Sequence, residues 1–211
     1  MFQDRTDAGR KLAMHLIKYR HLPAVILAVP RGGVPVAYEI AVACNWPLEL
    51  VLIKKLGHPK NKEYAIGAVS LEDRIVIPHE DVSEAYIEEE TLYARERLRE
   101  MQQKFMMGKG RVSLHGRTIV VVDDGIATGN TLLVTVKVLR QQAPERIIIV
   151  APVASRSAIA KLMRVADEVI VEMVPETFYG VGRFYSDFRQ VSDEEVIAYL
   201  KKAQKAFNET R

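Results

Sequence analysis

An α/β fold, with a mostly parallel central sheet flanked by helices, is predicted by three features of this 211-residue sequence. Short apolar runs recur at residues 24–29, 48–53, 119–122, 147–150 and 169–171 without polar alternation, the pattern of strands buried on both faces. Segments with helical spacing lie between them, and such alternation calls for a sheet covered by helices. Two of the runs end abruptly in Gly-rich polar turns, after residues 29 and 122.

Taken in order, residues 7–19 carry Leu12, Leu16 and Tyr19 at helical spacing, with Asp7 near the start. The strand at 24–29 breaks at Pro30-Arg31-Gly32-Gly33, and 34–43 resumes as a helix. After the strand at 48–53, residues 54–63 are charged, contain Gly57, Pro59 and Asn61, and read as a loop. Residues 66–71 and 74–77 are short strands in a hairpin around Glu72-Asp73, and 83–107 is a long charged helix opened by Ser83. Helices at 131–142 and 155–165 alternate with the last three strands. An aromatic segment, 178–188, precedes a final helix at 193–206. The stretch 64–112 interrupts the alternation and reads as a helical and hairpin insertion, building a lid or an oligomer contact, within one domain spanning 1–211.

Apolar residues make up 48% and charged residues 27%, ordinary values for a globular protein. The net charge of +3 is too small to argue for nucleic acid, and the basic residues are interleaved with acids, as in Glu96-Arg97-Leu98-Arg99-Glu100. A single cysteine, Cys44, excludes an internal disulfide and reads as a buried thiol in a reducing compartment. No signal-peptide pattern opens the chain and no apolar run reaches the ~18 residues of a membrane span, so the cytoplasm is the expected location. The five histidines lack metal-site spacing, and Ser155 and Ser157 lack a nucleophile elbow.

The most informative stretch is 118–131, Thr-Ile-Val-Val-Val-Asp-Asp-Gly-Ile-Ala-Thr-Gly-Asn-Thr. A buried strand ends in two carboxylates, Asp123 and Asp124. The small-residue loop Gly125-Ile126-Ala127-Thr128-Gly129-Asn130-Thr131 then leads into a helix. N–H groups and hydroxyls at a helix N-terminus suit a phosphate, and paired carboxylates suit sugar hydroxyls, a metal ion, or both. The spacing excludes a Walker loop, because the glycines are one residue too close and Asn130 stands in place of the lysine. No G-x-G-x-x-G dinucleotide fingerprint is present. The bland alternative is a strand-ending turn with an ordinary helix cap.

This string resembles the 5-phosphoribosyl-1-pyrophosphate (PRPP) motif of type I phosphoribosyltransferases. The resemblance implies that Gly125 to Thr131 hold the 5-phosphate and that Asp123 and Asp124 hold the ribose hydroxyls, directly or through water to Mg²⁺. It assigns the pyrophosphate to Arg31, Gly32 and Gly33, where the family often has a non-proline cis peptide flanking the basic residue. It makes 54–63 a closing loop in which Lys54 or Lys55 neutralises the leaving group and Glu63 approaches the acceptor. Ala127 stands where 6-oxopurine enzymes carry an aspartate and adenine enzymes an alanine. The opening Asp-Arg-x-x-Ala-Gly-x-x-Leu-Ala and the late Phe-Tyr-Ser-Asp-Phe look like a group of stand-alone bacterial phosphoribosyltransferases of unsettled acceptor.

Among the aromatics, Phe178 and Tyr185, with Asp187, are candidates for acceptor contact, against the alternative of a hydrophobic plug for the last helix. The expected activity is transfer of the phosphoribosyl group from PRPP to a small nitrogenous acceptor, with Mg²⁺ as cofactor. The resemblance also implies a homodimer. The alternative is a PRPP-sensing regulator without catalysis. It would need a nucleic-acid surface, and neither a basic patch nor a recognition helix is legible.

Overall fold

The computed structural model describes residues 1–106 and 112–209, the side chains of Glu63 and Met106 excepted. Its elements are α1 (Arg5–Leu16), β1 (Ala24–Ala28), α2 (Gly33–Cys44), β2 (Leu48–Leu50), β3 (Lys54–His58), β4 (Asn61–Val69), β5 (Arg74–Val76), α3 (Glu84–Met106), β6 (Thr118–Val122), α4 (Asn130–Arg140), β7 (Arg146–Val153), α5 (Arg156–Leu162), β8 (Glu168–Met173) and α6 (Asp193–Glu209).

The continuous apolar runs are explained by burial on both faces. Alternate residues of β1 enter opposite cores: Ala24, Ile26 and Ala28 face one, Val25 and Leu27 the other. β6 and β7 divide in the same way, with Val120, Val122, Ile148 and Val150 on the first side and Ile119, Val121, Ile147 and Ile149 on the second. Leu12 and Leu16 of α1, Ile40 of α2, Leu98 of α3 and Val196 of α6 cover the first face. Leu132, Val136 and Leu139 of α4 and Leu162 of α5 cover the second. Burying each such valine, leucine or isoleucine is worth about 1.5–3 kcal/mol.

The main sheet is parallel throughout, in the order β2-β1-β6-β7-β8. The chain winds outward from β1 to β2, then returns to build β6, β7 and β8 on the other side. The strand order therefore reverses between β1 and β6, and in open α/β sheets ligands bind in the crevice at the carboxyl ends of such a pair. The turns after β1 and β6 are the two Gly-rich ones.

Helix starts follow local chemistry. Asp4 accepts the Asp7 N–H at 2.8 Å and caps α1. Ser192 and Glu195 form a reciprocal capping box at α6, with bonds of 3.2 and 2.9 Å. Ser83 and Ser155 cap α3 and α5, as their sequence positions suggest.

The loop expected over 54–63 is instead a β-hairpin. β3 and β4 pair antiparallel from Lys54 opposite Val69, with the turn at Pro59 and Lys60. β5 completes a separate three-stranded antiparallel sheet, with β4 in the middle. The apolar partners of this sheet come from elsewhere in the chain: Ala68, Ala65, Ile75 and Ile53 pack on Val134 and Val138 of α4. The charged residues of 54–63 show only the solvent side of that sheet, so local composition reads as a loop. Residues 107–111 of the interrupting stretch lie outside the described residues. Among the described residues, no helix is long and apolar enough to cross a membrane.

Candidate active site

The loop after β6 turns its carbonyls one way and leaves its N–H groups open. The Ile126 carbonyl accepts Ser155 N–H at 3.0 Å, and that of Ala127 accepts Ser155 Oγ at 2.6 Å. The Thr128 carbonyl accepts Lys161 Nζ at 2.8 Å, and that of Gly129 accepts Leu133 N–H at 2.8 Å as α4 begins. Four successive carbonyls are thus satisfied by α4, by the cap of α5 and by Lys161 in its last turn. Among the described residues the N–H groups of Ala127, Thr128 and Gly129 have no protein acceptor. Those of Asn130, Thr131 and Leu132 lie in the first turn of α4, where no intrahelical partner exists, and the Asn130 N–H makes only a long bond of 3.5 Å to Thr128 Oγ1. Gly129 sits at φ +70, a conformation that side chains disfavour, and its turn starts the helix there. A run of free N–H groups at a helix N-terminus is an anion site. All seven residues from Gly125 to Thr131 expected at a phosphate belong to this turn.

The two carboxylates end β6 in different environments. Asp124 N–H donates to Asp123 Oδ1 at 2.9 Å, folding the first carboxylate back over the loop. Burial and the Asp124 charge push the Asp123 carboxyl well above the usual carboxylate range. Asp124 is held from behind. Arg5 Nε and Nη2 donate to its Oδ2 at 2.9 and 2.8 Å, and Arg5 Nη1 donates to the Arg189 carbonyl at 2.8 Å. The guanidinium, in a residue only 9% exposed, lies 3.9 Å from the Phe188 ring centroid. Tyr185 Oη donates to the Asp124 carbonyl at 2.6 Å, and its phenol is shifted upward by burial.

The turn after β1 meets this pair directly. Its Pro30–Arg31 peptide bond is cis, as the resemblance implied. The Gly33 and Val34 N–H groups bond to the Val29 and Arg31 carbonyls, while among the described residues those of Arg31 and Gly32 have no protein acceptor. A Cβ on Gly32 would stand 2.0 Å from Asp124 Oδ2. The two loops are therefore in contact, and only glycine fits at their junction. The Arg31 side chain reaches Asp193 Oδ1 at 3.5 Å and stays 37% exposed.

The other expected site residues are distributed differently. Lys54 and Lys55 open β3, Lys54 exposed and Lys55 half-buried. Glu63 lies in β4, with its side chain outside the described residues. Tyr185 departs from the acceptor contact expected of it. At 5% exposed, packed on Phe2 and Phe188 and bonded to Asp124, it braces the acidic loop and offers no free face to an acceptor. Phe178 stacks on Phe184 with centroids 5.5 Å apart. Asp187 is exposed and accepts the Arg189 N–H at 3.0 Å. Sequence reasoning gave no role to Arg5 or Lys161. The Asp-Arg of the opening motif was the only signal for the former, and nothing near the loop signals the latter.

Residues 3–189 match the family model of the phosphoribosyl transferase domain. The chain belongs to the phosphoribosyl transferase family. A Mycobacterium tuberculosis protein called "Putative phosphoribosyl transferase" is 37% identical over 215 aligned positions, covering 99% of this chain. The match takes in 48% of that relative, so the chain spans about half the length of the curated relatives it matches. The crystal structure of TT1426 from Thermus thermophilus superposes with a TM-score of 0.88 at 37% identity, covering 96% of this chain and 98% of that one. Purine phosphoribosyltransferase from Pyrococcus horikoshii is 17% identical with a TM-score of 0.48, too remote to carry its acceptor to this family member.

Proposed function

We propose that this chain transfers the 5-phosphoribosyl group of PRPP to a small nitrogenous acceptor and releases pyrophosphate. The observation that carries the reading is the loop after β6. Its carbonyls from Ile126 to Gly129 are turned away, the N–H groups of Ala127 to Gly129 are free among the described residues, and it is joined to an acidic pair at the point where the strand order reverses. In this reading the N–H groups and hydroxyls of Ala127 to Thr131 bind the 5-phosphate. Asp123 and Asp124 orient the ribose hydroxyls, and the Arg31 and Gly32 N–H groups receive pyrophosphate. The acceptor nitrogen forms a bond to the anomeric carbon as the bond to pyrophosphate oxygen breaks, and the electron pair leaves with pyrophosphate. Catalysis is positioning and charge stabilisation, so no protein nucleophile is required.

The donor set fits Mg²⁺. Arg5 occupies one Asp124 oxygen and the Asp124 N–H one Asp123 oxygen, so two carboxylate oxygens remain. Mg²⁺ is commonly held by one or two carboxylates together with substrate oxygens and water. A bound ion would neutralise leaving-group charge, with Asp123 and Asp124 holding it directly or through water. The strong upward shift of Asp123 marks a carboxylate that gains from a cation.

The unit from β3 to α3 acts as the hood in this reading, with Lys54 and Lys55 at its base. The reading includes a homodimer, carried by family resemblance, working in the cytoplasm. The test is pyrophosphate release from PRPP and Mg²⁺ across a panel of nucleobases, with Asp123→Asn as control. Release that depends on one base supports transfer and identifies the acceptor class. Release without any base, or unimpaired release by Asp123→Asn, overturns the assignment.

A further inference from the structure

We propose that Lys161 is the positioning cation of the phosphate loop: it fixes the Asn130 amide and selects a phosphorylated sugar donor over an unphosphorylated one. The inference rests on reading that loop as the 5-phosphate site. Every group within the loop itself is neutral, and Asn130 stands where a Walker loop would carry its lysine. A phosphate monoester carries about −1.5 to −2 charge at neutral pH, against roughly half a charge from a helix N-terminus. The fold brings the missing cation from α5. Lys161 Nζ lies 2.5 Å from Asn130 Oδ1 and 2.8 Å from the Thr128 carbonyl. Among the described residues no carboxylate pairs with it.

The chemistry of this contact sets the amide. An ammonium has three donors and no acceptor, so the Asn130 atom facing it is the carbonyl oxygen. The Asn130 NH₂ group is then turned the other way, and among the described residues neither of its donors has a partner at the first turn of α4. The ammonium spends two donors on the loop and keeps one. Its own helix is fixed beside the loop. Leu162 is fully buried, Ser155 joins the α5 cap to the Ala127 carbonyl, and a Cβ on Gly129 would stand 3.3 Å from the Ala158 Cβ. Lys161 thus works through Asn130 and through the loop carbonyl, and adds a full positive charge that no other residue of the loop supplies.

The test compares Lys161→Met, Lys161→Gln and Lys161→Arg with the unaltered protein. Affinities for PRPP, inorganic phosphate and inorganic pyrophosphate are measured by calorimetry, and thermal melting reports folding. Loss of the ammonium charge and of the Asn130 orientation it sets predicts about tenfold to a hundredfold weaker PRPP and phosphate binding by the Met and Gln variants. Arginine should restore binding to within about threefold. Pyrophosphate affinity and kcat at saturating PRPP should stay within about threefold of the unaltered protein in all three. Unchanged PRPP and phosphate affinity in Lys161→Met overturns the inference. So does a parallel loss of pyrophosphate binding, which would mark a merely structural role, or an unaltered protein that binds neither PRPP nor phosphate. If phosphate binding depends on Lys161 while no acceptor elicits pyrophosphate release, the transferase reading fails and this inference stands.

Discussion

Replacing Gly32 by alanine tests how the two loops are joined. The backbone at Gly32 has φ −60 and ψ −35, which alanine adopts freely, so any cost must come from the added methyl. That methyl would stand 2.0 Å from Asp124 Oδ2 and 2.6 Å from Cγ. Asp124 would have to move by well over an ångström, yet Arg5 holds the same oxygen with bonds of 2.9 and 2.8 Å. Yielding breaks both bonds and leaves a guanidinium buried, with the Arg189 carbonyl as its remaining hydrogen-bond acceptor. Each bond to a charged group is worth about 1.5–3 kcal/mol, and alanine returns up to about 1 kcal/mol through lower unfolded-state entropy. The net cost expected is about 3 kcal/mol, or roughly 6–12 °C in Tm for a chain of this size. The assay is urea unfolding of Gly32→Ala, Asp124→Ala and the double variant. Once Asp124 is alanine the methyl meets no Asp124 carboxylate, so Gly32→Ala should then be neutral or stabilise by up to about 1 kcal/mol. If it costs the same in both backgrounds, the loops are not joined through this carboxylate and the reasoning fails.

Two further outcomes are expected. Asp123→Asn should raise stability in the absence of ligand while abolishing transfer. Because the folded Asp123 carboxyl titrates above its unfolded value, the folded state retains a proton that the unfolded chain releases; stability falls as pH rises through that window. The variant should therefore melt higher than the unaltered protein at neutral pH, and the advantage should vanish below about pH 4, where both states carry the proton; equal melting at neutral pH would refute it. Tyr185→Phe removes the 2.6 Å bond to the Asp124 carbonyl and should cost about 1–2 kcal/mol in urea, with transfer reduced; full activity with unchanged stability would show that the hydroxyl does not brace the loop.

The main sheet was legible because its strands are buried on both faces. The run from Ile119 to Val122 leaves no other reading: it is apolar throughout, and the fold buries all of it. Residues 54–58 were illegible for the opposite reason. Lys54, Lys55 and Gly57 carry no strand pattern, and the sheet they join is stabilised by Ala68 and Val134, distant in sequence. The acidic pair and its loop could be read because donors, acceptors and turn residues lie within fourteen positions of one another. Arg5 could not be given a role, since its partner is 119 residues away. Tyr185 shows a different limit: an aromatic residue among glycines reads alike whether it stacks on a ligand or is bonded into a wall, and only depth separates the two.

The two ends of the matched region are tied together where the acidic pair sits. Phe2 N–H donates to the Phe184 carbonyl at 2.8 Å, Ser186 and Asp187 N–H return bonds to Phe2 and Gln3, and Arg5 reaches the Arg189 carbonyl. During synthesis the phosphate loop, Asp123 and Asp124 emerge long before residues 184–189 exist. The clamp on Asp124 must wait for nearly the whole domain to leave the ribosome, since contacts of such sequence separation close last. A nascent chain carrying every motif residue therefore lacks the clamp on Asp124 until residues 184–189 are in place.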